Sequence, residues 1–343
     1  VKMHALEVSR LQTFTRNVFI AAGTPQHIAE DVAEILLKAN LAGHDSHGVL
    51  RIPSYLEGIE SGGIIPAAEP KVLRETENIL HVDGQRGFGH YTARWAIRRT
   101  IEKAQQTRNS FATLTRTGHI GRVGEYAEEA AAAGCIGIVT VGGGARGGGR
   151  ILPFGGAEGA LGTNPIAIGV PTGDASPFLM DFATSMIANG KTYVADSEHC
   201  DLPPGCVVDK HGNPTVKVAA YKDGGHLLAF GKHKGYALSL FVALLGGLGG
   251  VFNANAGQIG GLTMQVIDVS AFTPLAAYQK GVRAFLDVVK ATPPAHGFNE
   301  VLVPGDAEHH TRAQRLRNGV EVPETIYTQL QACAEKLGVS LEV

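Results

Sequence analysis

The segment Gly43-His44-Asp45-Ser46-His47-Gly48-Val49-Leu50-Arg51 holds the densest set of chemically able residues in the chain. Histidine titrates near neutrality and can exchange a proton with a hydroxyl or keto group. Arginine offers a planar fork that matches a carboxylate. His47 and Arg51 are four residues apart. A helix starting near Ser46 would therefore carry both on one face, about 6 Å apart along it. An acid–base group beside a carboxylate clamp is what a 2-hydroxy acid requires. Other uses stay open at this point: His47 could cap a helix, and His44 with His47 could bind a metal. The reading from a different class is a metal-dependent hydrolase built on His44, Asp45 and His47, with His309 or His310. Catalytic zinc needs three protein ligands and an open position, and no recognised third ligand stands nearby.

A second pattern fails its physical test. Gly142, Gly144 and Gly147 satisfy the spacing G-x-G-x-x-G after an apolar run at 136–141. That fingerprint works only when the loop opens a helix whose first amides face a pyrophosphate. The residues that follow run Gly148-Gly149-Arg150-Ile151-Leu152-Pro153. Glycine costs a helix interior about 1 kcal/mol and proline about 3, so no helix starts here. With 45 glycines in the chain a chance match is easy. The stretch reads as a flexible loop, in which Arg146 and Arg150 are solvated or touch a phosphate.

The elements that must position these residues fall into two textures. The first seventy residues read as helices. Leu11, Phe14, Val18 and Phe19 form one apolar stripe, ended by Gly23; Thr24 and Pro25 then cap and open a second helix. Ile52, Tyr55, Leu56 and Ile59 form the stripe of a third, before Gly62-Gly63. From about residue 77 short strands are expected at 79–82, 111–114, 136–141, 165–170, 178–182, 262–269 and 300–303. Helices alternate with them at 90–106, 122–133, 234–245 and 274–290, and the tail returns to helix at 307–317 and 323–337. The pattern predicts a mixed α/β fold: a helical domain assembled from both chain ends (1–75 with 306–343) around an α/β domain (76–305).

Composition narrows the function further. The chain has 343 residues, 44% hydrophobic and 18% charged, with a formal net charge of -2. Mixed charge near neutrality argues against nucleic-acid and membrane-surface partners. Cys135, Cys200, Cys206 and Cys333 show no CxxC spacing and no disulfide framework. The N-terminal residues lack the basic and apolar regions of a signal peptide, and the apolar run at 236–251 is interrupted by four glycines. A cytoplasmic protein is expected.

Beyond these readings, Ser46-His47-Gly48-Val49 with Arg51, Pro53 and Tyr55 resembles the type-2 malate/L-lactate dehydrogenase family. The family includes ureidoglycolate dehydrogenase, diketogulonate reductase, sulfolactate dehydrogenase and cyclic-imine carboxylate reductases. The resemblance continues, in order, through Gly118-His119-Ile120-Gly121-Arg122, Gly162-Thr163-Asn164-Pro165 and Leu179-Met180-Asp181-Phe182-Ala183-Thr184-Ser185. It goes on through Gly190-Lys191, Pro203-Pro204-Gly205, His233-Lys234-Gly235-Tyr236 and Pro304-Gly305, to Arg317-Asn318-Gly319-Val320. Each motif alone is weak; the ordered set is specific and spans nearly the whole chain.

The resemblance implies a homodimeric NAD- or NADP-dependent enzyme whose nicotinamide site is not a Rossmann fold, acting on a small carboxylate substrate. It implies His47 or His119 as the acid–base residue and Asp181 as a partner of an imidazole or of the nicotinamide. Ser46, Arg51, Thr163 and Asn164 are then the substrate side. Leu179, Met180, Asp181, Phe182 and Ala183, with His233, Lys234, Gly305, Asp306 and Ala307, are the cofactor side, and no metal is implied. A lysine at a helix start opposes the macrodipole, which gives Lys234 a reason beyond structure. This sequence departs from the family at Gly118, where many relatives carry asparagine, and in its glycine-rich stretches at 141–155 and 253–261. Reduction of a cyclic imino acid in the same site is the alternative within the family.

Overall fold

The computed structural model describes residues 2–144, 149–174, 176–197 and 199–341. The chain opens with strand β1 (Met3–Leu6) and helices α1 (Val8–Ala21), α2 (Gln26–Leu41) and α3 (Ile52–Glu60). The main sheet region follows: β2 (Lys71–Glu75), β3 (Ile79–Asp83), α4 (Gly89–Thr107), β4 (Asn109–Thr115), α5 (Gly124–Ala132), β5 (Cys135–Gly144), β6 (Ile166–Val170) and β7 (Phe178–Phe182). Short elements come next: α6 (Asn189–Ser197), β8 (Val207–Val208), β9 (Pro214–Thr215), α7 (Val218–Lys222) and β10 (His226–Leu227). The chain closes with α8 (His233–Gly246), β11 (Val251–Asn253), β12 (Gln258–Asp268), α9 (Leu275–Lys290), α10 (Asp306–Asn318), β13 (Val320–Pro323) and α11 (Glu324–Leu337).

The first helices form for the reason their spacing gives. α1 buries Leu11, Phe14, Val18 and Phe19 on one face, and Gly23 stops it at φ 87°. Its N-terminus is capped by Glu7, which accepts from the backbone N–H groups of Ser9 and Arg10. The cap expected at Thr24 is not made: α2 begins at Gln26 behind Pro25, and the buried Thr24 hydroxyl has no partner among the described residues. With α3, α11 and the antiparallel β1–β13 pair, these helices enclose one hydrophobic core that joins the two chain ends.

A second core lies on the sheet, ordered β2-β3-β4-β12-β5-β6-β7, with β11 also on β12. Every neighbouring pair in it is antiparallel except β3–β4. Helices α4 and α5 pack on one face of this mixed sheet and α8 on the other. The pleat shows it directly. A Cβ added at Gly137 would meet Ala130 and Ala127 of α5, whereas one at Gly142, an odd number of residues on, would meet Val242 of α8. A third, smaller core gathers Ile151, Leu161, Leu202, Val207 and Leu227 around the β10-β8-β9 sheet.

The glycine run at 142–144 is strand, not loop: Gly142, Gly143 and Gly144 pair with Gly261, Gly260 and Ile259 of β12. The reason lies in α8, whose backbone touches the sheet. A Cβ on Gly142 would stand 2.1 Å from the Val242 carbonyl oxygen, and one on Gly261 2.3 Å from that of Gly246. The glycines therefore seat a helix. Arg146 and Gly147 lie outside the described residues. Two other expectations are corrected. Residues 300–303 form no strand; they run into α10, with Leu179 N–H donating to Pro304. The two-residue strands β8–β10 were missed because no alternation can show in two positions.

The seat predicts a sharp asymmetry between neighbours. Gly142→Ala should lower unfolding free energy by about 3 kcal/mol, the upper end of overpacking costs, because a backbone carbonyl cannot rotate away. Gly143→Ala, whose Cβ would have only Ile259 O at 3.8 Å, should cost about 0.5 kcal/mol. Urea unfolding of both variants checks this, and equal losses would refute the packing account.

Candidate active site

The turn that carries His47 is pinned from two sides. At the end of α2, Asn40 accepts from Val49 N–H through Oδ1 (2.9 Å) and donates from Nδ2 to Asp45 (2.6 Å). Arg315 of α10 forks onto both oxygens of Asp45 at 2.6 and 2.8 Å. Gly48 permits this closeness, since a Cβ there would stand 2.1 Å from Asn40 Oδ1. The chain makes two 3-10 turns, Asp45–His47 and Val49–Arg51, before α3 begins at Ile52. His47 and Arg51 therefore do not share an α-helical face, as the sequence spacing implied, yet both reach the same cleft. Arg51 Nε donates to the Ser46 carbonyl (2.8 Å), and its guanidinium stands 5.6 Å from the Tyr193 ring. Its Nη1 and Nη2 donate to no described residue.

His119 arrives from the other body, on the loop between β4 and α5. Its ring lies parallel to that of His47, 5.5 Å away with 15° between planes. Ser46 Oγ is 2.9 Å from His47 Nδ1. Tyr55 Oη is 2.7 Å from His119 Nδ1 and 3.3 Å from His90 Nε2. Burial, then the charge of Arg51 and of neighbouring cationic groups, lowers the pKa of His47 from 6.5 to about 4. Burial and His47 lower that of His90 to about 3. His119, although exposed at the cleft, is also held well below its usual value by desolvation and by His90, His47 and Arg51. All three are neutral imidazoles near pH 7.

His47, Arg51 and His119 line a cleft of about 890 Å³, with Tyr55 and His90 behind them. Thr163, Asp181, Phe182 and Ala183 line it too, as do Arg116, Arg122, Arg150 and Lys191. Asp181 Oδ2 accepts from Gly124 N–H (2.7 Å) and faces Arg122 Nε at 3.8 Å. Burial raises its pKa against the pull of Arg122, and its Oδ1 takes no hydrogen bond from a described residue.

The other expected residues sit elsewhere. Asn164 is a buried bolt: Oδ1 accepts from Gly143 N–H, and Nδ2 donates to the Ser239 carbonyl and hydroxyl of α8. Ser46 is buried behind His47. Leu179 belongs to the sheet core and Met180 to the same strand. Gly305 packs against Leu179, Asp306 pairs with Lys290 at 2.8 Å, and Ala307 follows in the first turn of α10. His233 and Lys234 form the exposed start of α8, off the cleft. The metal reading finds no ligand set. His44 pairs with Glu308, Asp45 with Asn40 and Arg315, and no three acidic, histidine or cysteine groups converge among the described residues.

Sequence reasoning missed His90, Arg122 and Tyr193 as neighbours of the site. His90 stood only as the start of a helix, and no spacing along the chain connects it to Tyr55 or His119. Arg122 was quoted within a motif without a task; its side chain is buried and bonds Glu128 at 3.2 Å.

The depressed histidines predict an acid-sensitive fold. Below about pH 6.5 the unfolded chain binds protons that the folded sites refuse, so stability present above that pH is lost as pH falls toward about 4 for His47 and about 3 for His90. His90, with no exposed surface, is the cleanest contributor. The urea midpoint should fall between pH 7 and 5, and His90→Gln, with one titrating ring fewer, should fall less. A midpoint that is flat in this window would contradict the depressed values.

A family model described as malate/L-lactate dehydrogenase matches residues 6–331. Hydroxycarboxylate dehydrogenase B of Escherichia coli O157:H7 is 35% identical over 352 residues, covering 99% of this chain and 96% of the relative. The structure of malate dehydrogenase from Pyrococcus horikoshii superposes with a TM-score of 0.88 at 31% identity, over 98% of this chain and 97% of the other. That of delta1-piperideine-2-carboxylate reductase from Pseudomonas syringae pvar. tomato gives 0.81 at 30%, over 96% and 100%. The chain belongs to the malate/L-lactate dehydrogenase family, a family of oxidoreductases.

Proposed function

We propose that the protein is an NAD- or NADP-dependent dehydrogenase of small 2-hydroxy acids, working in the reverse direction on 2-keto acids. The observation that carries this reading is one cleft in which an imidazole able to exchange a proton, His47, stands beside the Arg51 guanidinium, whose terminal donors no described residue takes up. Arg51 would hold the C2 carboxylate through its two terminal nitrogens. Neutral His47 would take the hydroxyl proton as the O–H bond breaks, and return it in reduction. Thr163, on the wall, would donate to the substrate.

The residues present fit a nicotinamide. Asp181 aims an acceptor-only group into the cleft, which suits the two donors of a carboxamide. Phe182 and Ala183 would flank the ring, with Leu179, Met180 and the 305–307 turn supporting them from behind. When bound, the nicotinamide would accept the hydride leaving C2 or supply one to it. His233 and Lys234 would meet the anionic part of the nucleotide, since a helix start and a lysine both favour an anion. The seating of α8 on the glycine run supports a nucleotide site that is not a Rossmann fold. The division at residues 75 and 306 is the proposed domain boundary. Reduction of a cyclic imino acid is the second reading, favoured by the similarity to the piperideine-carboxylate reductase.

We further propose a cytoplasmic homodimer. No helix among the described residues is long and apolar enough to cross a membrane, and Cys135 and Cys206 keep free buried thiols. Past its polar first turn α8 is apolar, and on its outer face Phe241 and Leu244 are 56% and 64% exposed, followed by Leu248 of the next turn at 59% and Phe252 at 64%. A second copy would cover them.

Three measurements bear on this. A panel of malate, lactate, sulfolactate, their keto acids and a cyclic imino acid, with both cofactors, should give nicotinamide absorbance changes with at least one 2-hydroxy or 2-keto acid. His47→Ala should cut turnover roughly 10²–10⁴-fold with little change in KM. Arg51→Ala should mainly raise KM, by about 1.5–3 kcal/mol for each lost charge-assisted bond, and Arg51→Lys should restore part of it. Light scattering should give twice the 36.0 kDa chain mass, and Phe241→Glu with Leu244→Glu should yield monomer. A wild-type monomer at micromolar concentration would rule out the dimer.

A further inference from the structure

Both His47 and His119 face the cleft, and the groups behind them differ in a way that separates their tasks. His47 Nδ1 meets a serine hydroxyl, 2.9 Å away, which can turn to donate or to accept. Either tautomer of His47 is therefore satisfied, as a group that gains and loses a proton requires.

His119 Nδ1 meets an obligate donor. The backbone N–H of Gly121 points at it from 3.3 Å, and a backbone N–H cannot accept. Nδ1 must then be the bare nitrogen, and the proton of neutral His119 sits on Nε2. Tyr55 Oη, 2.7 Å from the same Nδ1, is left to donate as well. Burial pushes the Tyr55 phenol up, so it keeps that proton. Its oxygen is then free to accept from His90 Nε2, 3.3 Å behind it. His90 Nδ1 has no partner among the described residues, which costs less for a lone pair than for a buried N–H. Gly121, at φ 74°, lets the loop pass over His90, since a Cβ there would stand 2.9 Å from His90 Nε2. Every hydrogen in the chain His90, Tyr55, His119 points toward the cleft.

We infer that Tyr55 and His90 are positioning residues that lock His119 as a neutral hydrogen-bond donor to the C2 oxygen, leaving His47 as the group that exchanges the proton. This rests on the dehydrogenase reading above. In oxidation the hydroxyl O–H breaks, its proton goes to His47, and the charge growing on the oxygen is met by the His119 N–H, which keeps its own proton. A donor preset in this way stabilises the developing oxyanion without reorganising. The ionisable groups facing His119 are His47, His90, Tyr55 and Arg51.

The tautomer is tested without any substrate. Nitrogen-15 spectra of the histidine rings at pH 7, assigned by loss of a signal in His119→Gln, should show His119 protonated at Nε2 and bare at Nδ1. Tyr55→Phe, which leaves only the longer Gly121 contact at Nδ1, should admit a minority of the other tautomer. A His119 ring protonated at Nδ1, or doubly protonated at pH 7, would overturn the inference whatever the enzyme's substrate proves to be.

The division of labour is tested by kinetics. Glutamine keeps an N–H donor but is no acid or base. His119→Gln should therefore be at least about tenfold more active than His119→Ala, which loses about 10²–10³-fold as an oxyanion donor does. Both should keep the pH limb of kcat/KM that His47→Gln abolishes. His90→Gln, which still donates to Tyr55, should outperform His90→Leu. If His119→Gln is as inactive as His119→Ala and the pH limb goes with it, His119 exchanges the proton and the inference is wrong. If no acid is turned over while the tautomer is as stated, the dehydrogenase reading fails instead.

Discussion

Arg94, a guanidinium 1% exposed in the middle of α4, is the contact on which the placement of the site depends. It reaches Asp31 and Glu34 of α2 at 2.9 and 3.0 Å, and Glu125 and Glu129 of α5 at 3.1 and 3.0 Å. Lys38 joins from α2, 2.9 Å from Glu125. Three helices from two hydrophobic cores thus share one set of buried charges. Such pairs add little net stability over apolar packing, yet removing one partner strands the rest. Their value here is registration. α2 leads directly into the turn of His47, and α5 follows directly on the loop of His119. A slip between α2 and α5 would shift two imidazoles that stack 5.5 Å apart.

The rest of the cleft uses the same economy of fixed parts. Asn40, Asp45 and Arg315 hold the turn of His47 from α2 and α10, and Asn164 ties β5 to α8 beneath the opposite wall. The third, smaller core supplies the side facing Arg51. Tyr193 on α6 stands over Arg51, and Arg150 lies 5.7 Å from the Tyr221 ring of α7. Arg51, Arg116, Arg122, Arg150 and Lys191 line the cleft, against Asp181 as the acid among its described lining residues. A chain of net charge -2 therefore presents a locally cationic site, and local potential, not net charge, governs the approach of an anion.

Much of this was legible in the sequence, for identifiable reasons. Leu11 to Phe19 and Ile52 to Ile59 announced helices by their period, and 136–141 and 178–182 announced strands, because each buries a face long enough to repeat. Ser46 to Arg51 announced chemistry by residue type. What failed was whatever depends on a partner distant in the chain. The glycines at 142–144 looked like a loop because the helix they seat lies about a hundred residues away. Thr24 looked like a cap because nothing local shows that Pro25 turns the chain past it. His90 looked like any helical residue, since its meaning comes from Tyr55 and His119, which only the fold brings to it.

On the proposed reading, the electrostatics of the pair couple His47 to the ligand. His47 is lowered to about 4 first by burial and next by Arg51. A carboxylate bound at Arg51 would offset that second influence without altering the first. If Arg51 is the clamp, the base strength of His47 would rise with its occupancy. Arg51 also lowers His119, but the tautomer of that ring is set separately, by the hydrogen bonds at its Nδ1. On the proposed reading, a bound acid would thus change the proton affinity of His47 while the fold keeps the donor face of His119, and stacking the two rings in one cleft would let a single acid meet both.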